Sequence, residues 1–390
     1  MPPRLFLSCA AWFLIMQMST PLLIGASYKS ALRNDITRPF VGKEFWPNPQ
    51  MDWQLKNGRM EVMISKGGKT HDIHLLTHQL KSEEGSFSQS VRLSFEKINP
   101  LKVKRAGFKF GIVGAMPEEY RSNLFGSSGY MAGVTSEGKL FGPGIESKTT
   151  LPKSALEDLR LTLKVEHKGN GFDFILEASK RSNEDKSSVL LFINKSVRMK
   201  KGLLGNFALF ADYSQKNHAA SIPADIQEFQ TDASFQDWQI SGNKVKQNLD
   251  QTFGPILWTQ YTLHRGVMKM TAQVSPMGRM NREKVHLELL KEGKWKRVQS
   301  SAIHEYASTA HFRMENWNEQ QPVPFRVVLK DGNEMGEWKG TIRKDPKNKK
   351  TIKLAALSCM KDGAFPNQYL QQNILAQNPD ILFFAGDQLY

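Results

Sequence analysis

Apolar and polar residues alternate with a period of two from about Trp46 to Val245. Arg59-Met60-Glu61-Val62-Met63-Ile64 alternates directly after Asn57-Gly58, a dipeptide suited to a tight hairpin turn. The run Phe87–Phe95 becomes a clean alternation from Val91 onward, and Phe108–Ile112 follows. Leu159–Val165 alternates again, Gly169-Asn170-Gly171 supplies a turn, and Phe172–Leu176 resumes the pattern. A period of two buries one face of each strand and wets the other, which predicts a sandwich of two antiparallel sheets.

Gly202–Tyr213 and Phe235–Gly242 resemble the closing strands of laminin-G or concanavalin-like jelly rolls, sandwiches that often bind sugars or surfaces. The fold class expected for residues 40–248 is therefore a jelly-roll-like β-sandwich. A second β unit spans residues 252–344, with strands predicted at Val267–Val274, Val285–Leu289 and Phe325–Leu329. Its length of about ninety residues matches an immunoglobulin or fibronectin type III sandwich. Lys344–Lys350 is polar, charged and contains proline, as a linker should be.

The pattern changes in residues 351–390. Thr351–Leu357 is an apolar run, Pro366 suits a first helical turn, and Leu370 with Ile374 marks a short amphipathic helix. Asn378-Pro379 stops that helix before a second apolar run, Ile381–Ala385. This reads as a strand, a crossover helix and a second parallel strand. A lone βαβ unit does not cover its own sheet, so the sequence is expected to be the front part of a longer protein.

Composition adds location. Arg4, the apolar stretch Leu5–Met18 and the small-residue zone Leu23–Ser27 form a tripartite export signal over residues 1–27. No later segment is long and apolar enough for a membrane-spanning helix. The expected location is periplasmic, cell-surface or extracellular. Of two cysteines, Cys9 falls within the signal, which leaves Cys359 as the single thiol of the exported chain. The formal charge of +15 favours anionic partners, either surface polymers or phosphorylated substrates. No nucleic-acid-specific motif accompanies it.

Four constellations carry possible chemistry. His71, His74 and His78 have metal-ligand spacing for a helix, but the surrounding strand pattern points them to different faces. Asn217-His218 lacks the neighbours of a catalytic pair, and Asn194-Lys195-Ser196 is a formal glycosylation sequon. The fourth lies in the βαβ unit. Cys359 follows its first strand and Asp387 its second, so both fall on the carboxyl edge, where open α/β sheets bind ligands. Tyr390 is three residues beyond Asp387 and within reach of the same place if the turn is tight. A dinucleotide site would need Gly-x-Gly-x-x-Gly after the first strand, and Ser358–Gly363 lacks it.

Leu357-Ser358-Cys359, followed by Asn378-Pro379-Asp380-Ile381-Leu382-Phe383-Phe384-Ala385-Gly386-Asp387-Gln388-Leu389-Tyr390, resembles the opening of the alkaline phosphatase D family of metallophosphatases. That family also carries a preceding immunoglobulin-like domain. The resemblance implies that Cys359, Asp387 and Tyr390 are metal ligands, with Asp387 bridging a ferric iron and calcium (or another divalent pair), and that the substrate is a phosphate ester. It implies hydrolysis of phosphomonoesters or phosphodiesters by the full-length parent. The family's further Asp, Asn and His ligands have no counterpart here, so the 390 residues alone are expected to hold the metal pair poorly and to be inactive. The competing expectation is a secreted carbohydrate- or surface-binding β-sandwich protein.

Overall fold

The computed structural model describes residues 25–63, 70–95, 103–126, 128–181, 187–199, 202–212, 231–278, 283–360 and 366–387. The protein is mainly β, and its first unit is two antiparallel sheets packed face to face. One sheet runs in the order Ser187–Arg198, Gly171–Arg181, Leu159–Lys168, Gly85–Phe95, Thr231–Gly242, Arg59–Met63, Trp53–Lys56 and Thr37–Arg38, with Ala26–Lys29 also on Thr231–Gly242. The other runs Ile145–Glu146, Leu140–Gly142, Tyr130–Thr135, Arg105–Ile112, Gly205–Asp212, Thr70–Leu80 and Val245–Gln247, with Phe45–Asn48 also on Thr70–Leu80.

The alternation seen in the sequence is the cause of this layering. Leu159, Leu161, Leu163 and Val165 enter the core, whereas Lys164 and Glu166 face water. Asn57 and Gly58 both take positive φ, so a two-residue turn closes the hairpin of Trp53–Lys56 and Arg59–Met63. Between the sheets, Phe87 meets Phe110 and Phe207 edge-on at 5.6 and 5.3 Å. Aromatic rings supply much of this core's buried apolar area.

One end of this unit is held by an internal cation. Lys244 is wholly buried, and its Nζ donates to the carbonyls of Lys81 (2.9 Å) and Glu83 (2.6 Å) and lies 2.8 Å from His167 Nδ1. His167 Nε2 lies 3.2 Å from the Gly169 carbonyl, so the tautomer with its hydrogen on Nε2 donates there and turns Nδ1 toward the lysine. Burial pushes the Lys244 amine down to about 8, with Glu83 and Glu84 opposing the shift. Three turns from separate parts of the chain therefore converge on one ammonium.

The second unit pairs a three-stranded sheet, in order Ile256–His264, Val267–Val274 and Thr309–Met314, with a four-stranded one, in order Lys294–Ala302, Lys284–Lys291, Val323–Asp331 and Glu334–Ile342. Met268, Met270, Leu287, Phe312, Phe325 and Val327 fill the space between them. Phe40, which precedes the first unit's main strands, is buried in this second core.

Arg38 makes that crossing possible. It is 6 % exposed and donates to Asp331 through both terminal nitrogens at 2.8 Å, and to the Phe40 carbonyl through Nε at 2.7 Å. Arg33 adds a further bond to Asp331 at 2.8 Å. Burial raises the Asp331 carboxyl, and the two guanidinium groups outweigh it, holding the group below the usual carboxylate range. Trp46 against Phe253, with ring centroids 4.6 Å apart, adds to the contact.

The last described unit is a parallel pair, Leu354–Leu357 beside Ile381–Phe384, joined through the helix Gln368–Gln377. Asn367 caps the helix by accepting from the Leu370 amide, so Pro366 sits one residue before the cap instead of in the first turn. Asn378 ends the helix in the left-handed conformation. Leu354, Ile381, Leu382, Phe383 and Phe384 all remain exposed, because two four-residue strands and one helix cover little of each other. The second sandwich grips this unit at two points. Arg343 donates to the Pro379 carbonyl at 2.7 Å, and Trp258 meets Phe384 edge-on at 6.0 Å.

Substitution Asp331→Ala strands the buried Arg38 charge and is expected to cost about 3–5 kcal/mol of stability. Glu334→Ala removes only the exposed Lys43–Glu334 pair and is expected to stay within about 0.5 kcal/mol of the parent. Urea denaturation of both variants checks the contrast.

Candidate functional site

The parallel ladder brings two of the three proposed ligand residues together. The Ala385 amide donates to the Leu357 carbonyl at 2.9 Å, and the Cys359 amide donates to the Asp387 carbonyl at 2.6 Å. The chain turns sharply at both strand ends. Cys359 has φ +57° and Gly386 φ +62°. A Cβ on Gly386 would lie 3.1 Å from Ser358 Oγ, so the positive φ favours glycine and any side chain there also asks the Ser358 hydroxyl to shift by a few tenths of an ångström. Ser358 Oγ lies 3.0 Å from Cys359 Sγ, and the thiol is exposed at this edge. Tyr390 lies outside the described residues.

Among the described residues no group of three or more His, Cys, Asp or Glu side chains converges as a metal site. Cys359 and Asp387 fit a highly charged ion in kind, since thiolate and carboxylate both neutralise it. A complete coordination sphere takes donors beyond these two.

The histidines of Thr70–Leu80 do not converge. His71 Nε2 lies 2.8 Å from Asp52 Oδ2, and His78 Nδ1 lies 2.9 Å from Thr77 Oγ1 with its ring on Tyr28. His74 is buried beside the Asp72–Lys109 ion pair, whose Nζ to Oδ2 distance is 2.6 Å. Among the described residues neither His74 Nδ1 nor Asp72 Oδ1 has a hydrogen-bond partner. Burial pushes the His74 imidazole down to about 4, with Asp72 opposing and Lys109 adding to the shift. Asn217-His218 and residues 1–24 of the expected export signal, 1–27, lie outside the described residues, whereas Ala26 and Ser27 pair with Gly242 and Ser241. Asn194 of the sequon is exposed. No described helix is long and apolar enough to cross a membrane.

Sequence reasoning missed the groups that hold the edge in place. Trp258 and Arg343 come from the second sandwich, and nothing in their local pattern marks them as neighbours of Phe384 and Pro379. Asp380 enters the sequence reading only within the Asn-Pro-Asp run, with no role assigned. It pairs with Lys349 and accepts from the Lys353 amide at 3.1 Å, and these bonds hold its carboxyl below the usual range.

No family model matches the chain, and no curated protein matches it. Among solved structures, it is similar to the calcium-bound exoplasmic/lumenal domain of VIP36, at 8% identity over 56% of this chain and 98% of that one, with a TM-score of 0.29. The metal-free carbohydrate recognition domain of Emp46p gives 11% identity, 52% and 88% coverage, and 0.28. The endo-1,3-beta-glucanase from Streptomyces sioyaensis gives 10%, 50% and 79%, and 0.30. Scores this low constrain neither the detail of the fold nor a ligand.

The buried His74 sets an acid limit. Its neutral form is favoured in the fold, while the unfolded chain takes up the proton near pH 6.5. Stability present above pH 6.5 is therefore lost as pH falls toward 4, by up to about 3 kcal/mol from this group. His74→Met is expected to flatten that part of the stability curve, as read by thermal melts between those two pH values.

Proposed function

We propose that residues 351–390 open the catalytic domain of an exported, metal-dependent phosphate-ester hydrolase of the alkaline phosphatase D type, and that the two β-sandwiches precede and support it. The first sandwich is then a jelly roll and the second an immunoglobulin-like domain. The observation that carries this reading is the Cys359 amide bonded to the Asp387 carbonyl, which fixes a thiol and a carboxylate at neighbouring carboxyl ends of parallel strands. In this reading Cys359, Asp387 and Tyr390 would hold the metal pair through a thiolate, a carboxylate and a phenolate. Iron and calcium, when bound, supply an activated oxygen nucleophile and an electrostatic clamp on the phosphate ester. Gly386 keeps the second turn tight enough for Asp387 to face Cys359, and the grip of Trp258 and Arg343 holds that strand against the sandwich.

A second reading, a carbohydrate- or surface-binding sandwich, has one observation in its favour. Asp72 Oδ1 and His74 Nδ1 are buried polar atoms without partners among the described residues, beside the ammonium of Lys109. Sugar hydroxyls satisfy such atoms, and so does a buried water. Glycan binding abolished by Asp72→Asn supports this reading.

The hydrolase reading is tested on a chain that carries the whole catalytic domain. Cys359→Ser is expected to lower both iron content and phosphodiester turnover by about 10- to 100-fold or more. The melting temperature of the sandwiches stays unchanged. Full iron occupancy with normal turnover in this variant sinks the assignment.

A further inference from the structure

We infer that the outer face of the three-stranded sheet in the second sandwich binds a linear acidic polysaccharide, with a carboxylate of the chain seated on Lys269 and Arg313. Tyr261 and Leu263 of Ile256–His264 pack on the core of that unit, and so do Met268, Met270 and Phe312 of the neighbouring strands. The alternate residues therefore form the opposite face. Across it Trp258 opposes Gln273, Gln260 opposes Thr271 and Thr262 opposes Lys269. On the third strand His311 opposes Thr271 and Arg313 opposes Lys269. Trp258 is 44 % exposed, and Gln260, Thr262, Lys269 and Arg313 are exposed beside it.

Charge distinguishes this face from that of the partner sheet. Residues 256–274 and 309–314 hold no Asp or Glu, whereas Arg265, Lys269 and Arg313 are cationic. Lys269 and Arg313 stand directly across from each other, and like charges so placed destabilise a sheet. Glu315, just past the strand, pairs with Arg313 at 2.5 Å, and among the described residues no carboxylate pairs with Lys269. The four-stranded sheet neutralises its own outer face. There Glu288 meets Arg326 at 2.7 Å, and Glu337 meets Arg326 at 2.8 Å and Lys339 at 2.6 Å. An anion seated between Lys269 and Arg313 completes on one face what carboxylates complete on the other.

The neutral groups choose among anions. Gln260 and Thr262 offer an amide and a hydroxyl that match a polyol, and the half-exposed indole of Trp258 offers an apolar surface to a pyranose ring. Trp258 and Thr262 are four residues apart, so the indole and the cation pair lie about 13 Å apart along the strand. A polyphosphate or a nucleic acid carries a charge on every unit and calls for a row of cations along its path. One cation pair beside neutral amide and hydroxyl groups fits the sparser charge of a sugar chain bearing carboxylates. Strand addition at the outer edge does not explain the face. The side chains of Ser301 and Gln299 already accept from the His311 and Arg313 amides there, each at 3.1 Å. This face is separate from Asp72 and His74 and from the parallel strand pair, so the inference rests on neither functional reading above.

Calorimetric titration of the full chain with a galacturonate hexamer, at about 150 mM salt to screen distant charges, reads this out. The expected result is saturable binding that weakens at least about tenfold when the hexamer's carboxylates are methyl-esterified. Lys269→Glu and Trp258→Ala are each expected to weaken binding at least about tenfold as well. Lys294→Glu makes the same change of net charge on the four-stranded sheet and is expected to stay within about twofold of the parent. Absence of saturable binding, or equal affinity for the esterified hexamer, would overturn the proposal. So would equal losses from Lys269→Glu and Lys294→Glu, indifference to Trp258→Ala in a folded variant, or tighter binding of a linear hexaphosphate. If Trp258→Ala misfolds by circular dichroism, the two charge variants and the esterified hexamer decide.

Discussion

The guanidinium of Arg38 turns two layered cores into one object. A buried arginine is tolerable only when its donors are taken up, and here a carboxylate and a backbone carbonyl do so. The carboxylate, Asp331, ends a strand of the second sandwich, while the carbonyl belongs to Phe40, whose ring lies in that sandwich's core. The orientation of the second sandwich against the first depends on this junction. The second sandwich in turn holds the parallel strand pair through Arg343 and Trp258, so the placement of Cys359 and Asp387 traces back to a residue more than three hundred positions earlier.

The fold was legible where one face of a strand is wet. Val267–Val274 coincides with an observed strand, and Leu159–Val165 lies within a longer one, because apolar and polar residues alternate cleanly there. Legibility was partial where both faces are covered: the segment around His71–His78 reads as a strand, but its burial on both sides does not follow from the pattern. Every residue from His71 to Leu80 is buried, so polar His74, Gln79 and Asp72 sit inside and the period carries no sign of which side is the core. It failed for Thr37–Arg38 and Phe45–Asn48, which are too short to show a period and owe their conformation to partners distant in sequence.

The candidate edge was more legible than its supports. Parallel pairing follows from the two apolar runs and the helix between them, and it forces the residues after each strand to be neighbours. Local sequence thus placed Cys359 beside Asp387. What it did not reveal was the packing of Phe384 on Trp258, because ring contacts across units depend on the angle at which the sandwich meets the strand pair. Lys244 was similarly hidden. A lysine in a hairpin turn reads as solvated, and only the convergence of three turns makes it an interior cation.

Cys359 occupies a backbone conformation that glycine or asparagine adopts at less cost. The penalty for a side chain there is roughly 1–2 kcal/mol, and a thiol at an exposed edge regains little of it by packing. Drift under selection for stability alone would therefore replace this cysteine early, most often with glycine. A lineage in which position 359 stays cysteine while neighbouring exposed positions change freely would record a demand on the sulfur itself, and the backbone angle makes that record readable without any measurement of catalysis.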